Sequence, residues 1–429
     1  MRFSLLSLIV LMCSFAGSAS AFCGLYVARA DGELFNDASK VVITRDGRHT
    51  AITMSSDYHG EPSEFAMVVP TPVVLEREQV RTVSTEIMSA IDAYSAPRLV
   101  EYEDFDPCEM VAYAVEPMPM IVEERAADNE PERRRGPAAF GVTIKAQYAV
   151  GIYDVVILDA TQSDGLVAYL LQEGYNIPDG AEDVLGDYIA SGMKFFVARV
   201  NLGRQAKSGA ELEPLQITFD TDKFMLPIRL GMVNARGPQD MLVMVLSRKG
   251  RAQVLNYPTH QIHTDQEIPI FVRQRFGEFY KAMFSRTVNE LGGTGILLEY
   301  AWDMAWCDPC AADPLTNDQL AVLGVNWLSN EPNAGQDVFV TRLHARYDAS
   351  FAEDLVLGET TDRANFQGRY ILREPFQGAF TCAKDEYQPY VDEVRARIKE
   401  EAKTVAALTG WRLGRINEEI AKTVQARYR

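Results

Sequence analysis

Apolar positions in this chain come in short runs and two-residue alternation more often than in long helical stripes. Residues 40–44 form one such run, which stops at Asp46-Gly47, and residues 50–54 resume the pattern. An Asp-Gly pair between two such runs predicts a hairpin, because glycine accepts the positive φ that a strand-compatible turn demands. Residues 64–70 read as a further apolar strand, halted by Pro70 and Pro72, which offer a sheet no N–H. The period then changes. Val83, Ile87 and Ile91 stand four apart, one face of a helix over 80–94.

Beyond a stretch of charge the alternation continues. Strands are predicted at 141–149 and 153–158, then a helix over 165–173, capped by Ser163-Asp164 and ended by Gly174. A second helix over 181–191 ends at Gly192, and a strand follows at 194–200. Further strands are expected at 227–232, 241–246 and 254–262, a helix rich in aromatic residues over 270–290, and strands at 296–302, 337–347 and 368–373. The chain closes on an amphipathic helix over 387–408, with Val391, Val394, Ile398, Ala402 and Val405 as its apolar stripe, and a shorter helix after Gly410. The fold class is therefore α+β: mostly antiparallel sheet, inserted helices and a C-terminal amphipathic helical segment. The expected division is a leader over 1–21, an α+β domain over 22–385 and the helical segment over 386–429. Within the domain, residues 122–138 crowd six acidic or basic positions around Arg133-Arg134-Arg135 with almost nothing apolar, which predicts a mobile charged loop.

The N-terminus has the pattern of an export signal. Arg2 precedes an apolar run over 5–12, and Ala19-Ser20-Ala21 has the small-x-small form that signal peptidase reads, placing the cut before Phe22. The run is far short of the roughly 20 residues a spanning helix needs, and no later stretch reaches that length. Phe22 before Cys23 is too bulky for a lipoprotein signal. The expected location is the periplasm or the outside of the cell, with no integral membrane segment after cleavage. A formal net charge of −18, one unit more negative once Arg2 has left, repels nucleic acid and anionic lipid. Cys13 would leave with the leader. Cys23, Cys108, Cys307, Cys310 and Cys382 remain, enough for two disulfides and one thiol, with the connectivity open.

Several motifs touch on chemistry. Trp306-Cys307-Asp308-Pro309-Cys310 is similar to the redox site of thioredoxin-like enzymes, where a helix N-terminus lowers the pKa of the first thiol. Here Asp313-Pro314 follows almost at once, where a long helix should run, so a structural disulfide within the pair or to Cys382 is preferred. His260 and His263 fall on opposite faces of a strand, a poor metal shell. Ser56, Asp57 and His59 are too close in sequence for a hydrolase triad, which converges from separate segments. Ser191 and Lys194 have the spacing of penicillin-binding enzymes without their partner motifs. Glu101, Glu103, Asp104 and Asp106 lack the spacing and turn glycine of a calcium loop.

Four segments carry a family resemblance: Phe65-Ala66-Met67-Val68-Val69-Pro70-Thr71-Pro72; Ala96-Pro97-Arg98-Leu99-Val100-Glu101-Tyr102 with Asp106-Pro107-Cys108; Gly192-Met193-Lys194-Phe195-Phe196-Val197-Ala198; and Glu299-Tyr300-Ala301-Trp302-Asp303 with Cys307-Asp308-Pro309-Cys310. The chain resembles, from Phe22 nearly to its end, the bacterial domain of unknown function 2330. It departs at 122–138 and at the His260/His263 pair. The resemblance implies export and a shared fold, and brings no catalytic residue, cofactor or metal site. The expected function is a non-enzymatic binding or structural role in the envelope, toward an unidentified envelope protein or small ligand. The alternative is a thiol–disulfide oxidoreductase using Cys307 and Cys310. A metal-dependent hydrolase ranks third, since histidines are sparse.

Overall fold

A computed structural model describes residues 25–28, 35–59, 65–109, 142–175, 177–201, 203–204, 212–233, 237–306, 312–328 and 337–428. The expected leader, Cys23, the charged stretch 122–138 and the Cys307/Cys310 pair lie outside them.

Two sheets face one another. The first has five strands, in the order Leu25–Ala28, Phe65–Thr71, Lys194–Val200, Tyr153–Ala160 and Val142–Val150, all antiparallel. The second has nine. Its main path runs Thr259–Gln261, Gly295–Asp303, Phe339–Tyr347, Gln239–Ser247, Phe35–Asp46, His49–His59, Leu215–Asp220 and Val80–Thr82, and Phe366–Gln367 joins it beside Gly295–Asp303. The predicted hairpin is the pair Phe35–Asp46 and His49–His59. Strand alternation sorts side chains between layers. Val41 and Ile43 join Met67, Val69, Phe196 and Val243 in the core between the sheets. Their neighbours point the other way. Val68 and Phe195 meet helices Ser163–Gln172 and Ala181–Ala190, while Val42 and Met244 meet helix Thr85–Ser95. The result is four layers, helices outside and sheets inside. Each fully buried aliphatic side chain contributes about 1.5–3 kcal/mol.

A third cluster stands apart. Three parallel strands, Gln266–Glu267, Arg369–Glu374 and Arg98–Glu103, form a small sheet. Tyr370 and Leu372 from it pack with Phe279 and Met283 of helix Phe276–Glu290 and with the C-terminal helices Lys384–Thr409 and Leu413–Thr423. The five stripe residues expected on the C-terminal helix are all buried.

The α+β class and the mostly antiparallel pairing match the sequence pattern, and four boundaries differ for local reasons. The helix expected from residue 80 starts at Thr85, because Val80–Thr82 pairs with Leu215–Ile217 as an edge strand and Ser84 is extended. The strand expected at 227–232 is instead the helix Arg229–Val233, whose entry is held by Asp354 Oδ1 accepting from the Ile228 and Arg229 amides at 2.8 and 3.3 Å. Pro258 divides 254–262 into Ala252–Val254 and Thr259–Gln261. Pro269 is followed by a 3₁₀ turn, Ile270–Arg275, before the regular helix. Gly174 and Gly192 end their helices at φ +85° and +79°, where a Cβ would be strained.

Candidate functional site

Among the sequence candidates, Cys108 and Cys382 come together. They form a disulfide with Cα atoms 5.4 Å apart across 274 residues of sequence. Cys382, expected as one possible partner for Cys307 or Cys310, is therefore bonded to Cys108 instead. The bridge ties the turn after strand Arg98–Glu103 to the start of helix Lys384–Thr409. Closing so long a loop stabilises by on the order of 5 kcal/mol in a chain-entropy account.

The other candidates stay apart. His260 and His263 are both exposed. Lys194 pairs with Asp159 at 2.7 Å, and Ser191 Oγ donates to the Tyr188 carbonyl. The triad residue types Ser56, Asp57 and His59 lie in one strand. In the acidic stretch, Glu101 is taken by Arg273 at 2.8 Å and Asp104 by Arg397 at 2.6 Å. No group of three or more His, Cys, Asp or Glu that could hold a metal ion occurs among the described residues. Of the redox motif, the described neighbour Trp306 is half-exposed and packs edge-on against Trp302 at 4.9 Å.

The densest chemistry lies where sequence reasoning did not look. Glu299 is fully buried in the nine-stranded sheet. Strand Gly295–Asp303 slips register against Phe339–Tyr347 between Leu298 and Tyr300, so Glu299 is the extra residue of a bulge. Such an insertion re-aims side chains. Here Glu299 and Tyr300 both face the helix layer, while Leu298 and Ala301 face the core between the sheets. Arg342 Nε donates to Glu299 Oε2 at 2.6 Å, His344 Nδ1 lies 2.7 Å from Oε1, and the Tyr280 hydroxyl donates to Oε1. Arg342 Nη1 continues the chain to Asp92 Oδ1 at 2.5 Å and to the Ser95 hydroxyl at 3.3 Å, and Lys40 closes on Asp92 at 2.7 Å. The His344 ring stacks on Phe284, centroids 3.7 Å apart.

Burial raises the pKa of Glu299, but His344 and Arg342, with the hydrogen bonds of His344 and Tyr280, overturn it and hold the carboxyl down to about 2. Burial and the neighbouring Glu299 carboxylate push the Tyr280 phenol well up. A general base must be able to take a proton near the working pH. A carboxylate with three donors, fixed as an anion and shut inside a sheet, instead clasps helices Thr85–Ser95 and Phe276–Glu290 to that sheet. The signal was visible. Glu299 is the one charged residue inside the apolar run 296–302, and Arg342, His344 and Arg346 alternate along the adjacent strand.

Among the described residues an apolar groove lies between strand Phe65–Thr71 with Met193 on one side and strands His49–His59 and Leu215–Asp220 on the other. It is lined by Met54, Val69, Met193, Phe219 and Met225 among others, with exposed Lys223 as its single charged lining residue.

A family model described as an uncharacterized protein conserved in bacteria (DUF2330) matches residues 17–358. No curated protein and no solved structure matches the chain.

Proposed function

We propose that this chain, which belongs to the DUF2330 family of uncharacterised bacterial proteins, is an exported envelope protein with a binding or structural role rather than a catalytic one. The Cys108–Cys382 bridge carries the reading. A disulfide closing almost two thirds of the chain persists in an oxidising compartment and is reduced in the cytosol. The signal-peptide pattern before Phe22 agrees with it, as does the absence of any helix long and apolar enough to cross a membrane among the described residues. A binding role draws support from the apolar gap beside Lys223.

A second reading, thiol–disulfide exchange at Cys307 and Cys310, gains from two observations. Cys382 is occupied by Cys108, so Cys307 and Cys310 are left with each other or Cys23. Trp306 beside them is half-exposed.

Mass spectrometry of the protein recovered from cell fractions tests both readings. The expected result is an envelope or medium fraction beginning at Phe22, with a Cys108–Cys382 peptide that resists mild reductant. Recovery of uncleaved, fully reduced chain from the cytoplasm overturns the exported reading. A 307–310 pair that opens under mild reductant, with Cys307 alkylating first, favours the redox reading instead.

A further inference from the structure

Helix Lys384–Thr409 buries a charge on its apolar stripe. Glu401 is 5% exposed, between Ile398 and Val405 on the face that meets the small parallel sheet. Four charged groups face it. Asp104 comes from the turn after strand Arg98–Glu103, Glu267 and Arg373 from the other two strands, and Arg397 from the helix itself. Both guanidiniums hold another carboxylate, and the buried Nε of Arg397 is left without a hydrogen bond among the described residues. Arg397 bonds Asp104 at 2.6 Å, and Arg373 lies 3.3 Å from Glu267. Asp104 also accepts from the Tyr390 hydroxyl at 2.9 Å. Glu401 Oε1 accepts no hydrogen bond among the described residues, and its nearest cation, Arg397 Nε, is 3.6 Å away. Three carboxyl groups thus share two guanidiniums, with Glu401, Asp104 and Arg397 buried and the Glu267–Arg373 pair at the solvated edge, so the buried charges balance only when one carboxyl is neutral. Asp104 and Glu267 have the closer partners, which leaves Glu401 to hold the proton.

We propose that protonation of Glu401 seats the C-terminal helix on the parallel sheet, and that its ionisation loosens the helix around residues 394–409 while the Cys108–Cys382 bridge keeps the other end tethered. The device is local. The bridge lies two residues before the helix begins, and Glu401 lies near its far end. Burial, with the Glu267 and Asp104 carboxylates, pushes the Glu401 carboxyl up to about 7, against the pull of Arg397 and Arg373. The transition therefore falls near neutral pH.

Hydrogen–deuterium exchange on the full chain, disulfide intact and corrected for the intrinsic pH dependence of exchange, tests this. Between pH 5.5 and 8.5 the amides of 394–409 should lose at least about ten-fold in protection, while the nine-stranded sheet holds steady. Glu401→Gln should be protected at the low-pH level throughout. Glu267→Gln, at a half-exposed site, should fold in any case and move the midpoint down by about half a pH unit by removing one competing charge. Flat protection in the wild type overturns the proposal. So does a wild-type profile in Glu401→Gln, an unmoved midpoint in Glu267→Gln, or a loss spread evenly over the whole chain.

Discussion

Glu299 and Glu401 are both buried carboxyl groups beside an arginine, yet they are driven in opposite directions. Glu299 has three donors at bonding distance and is held down to about 2. Glu401 has one guanidinium at 3.6 Å, already bonded to Asp104, and is pushed up to about 7. Burial raises both. The count of uncommitted donors decides which way the balance falls. One site is a permanent clasp, and the other is poised to change with its surroundings.

The largest effect should come from making Glu299 resemble Glu401. Arg342→Met removes two hydrogen bonds to carboxylates, at Glu299 and Asp92, and leaves the buried Glu299 with His344 and Tyr280 alone. A loss of about 3–5 kcal/mol in urea unfolding is expected. The pH profile should also flatten on the acid side. In the wild type the folded pKa of Glu299 lies below its unfolded value, so its stabilisation is present above about pH 4.5 and is lost as pH falls toward 2. With Arg342 gone, His344 and Tyr280 still favour the anion but the folded pKa rises toward the unfolded value, so less stability should be lost as pH falls. Adding Glu299→Gln should recover much of the loss. If Arg342→Met costs less than about 1 kcal/mol, the clasp is not what holds the helices.

Glu401→Gln should give a smaller effect of opposite sign. A folded pKa raised to about 7 means the neutral form's stabilisation is fully present below about pH 4.5 and is lost as pH climbs through 7. The wild type should lose up to about 3 kcal/mol over that window. Above pH 8 the glutamine variant should exceed it by about 1–3 kcal/mol, read from denaturant midpoints at fixed m-value. A variant less stable than wild type at pH 8 would mean that ionised Glu401 finds partners the geometry does not provide.

Most of the scaffold was legible in the sequence, and the two ionic sites were not. The short apolar runs at 40–44 and 64–70 report strands buried on both faces, the three- and four-residue spacing along 391–405 reports which side of a helix is apolar, and burial follows both. The bulge at Glu299 breaks alternation by a single residue, which no period-2 reading anticipates. Strict alternation would also send Arg342, His344 and Arg346 to a solvated face, whereas helix Thr85–Ser95 covers the first and helix Phe276–Glu290 the other two, and that covering is a tertiary fact. Glu401 could have been flagged, since it lies three residues from Ile398 and four from Val405, inside the predicted stripe. The Cys108–Cys382 pairing needed coordinates, because spacing alone left the connectivity open.

The smallest effect marks where the clasp ends. Lys40 bonds Asp92 at 2.7 Å, as short as several contacts inside the network, but its side chain is 32% exposed and that of Asp92 22%. Water solvates the ammonium in both folded and unfolded states, so the pair gains little from Coulomb attraction and sacrifices the freedom of a long side chain. Asp92 keeps Arg342 at 2.5 Å after Lys40 is gone, so no buried anion is orphaned. Lys40→Ala should therefore cost no more than about 1 kcal/mol in the same unfolding assay, well below Arg342→Met on the same carboxylate. A loss comparable to that of Arg342→Met would show that donor count fails as the controlling variable, because Lys40 adds a partner where the carboxylate already has one.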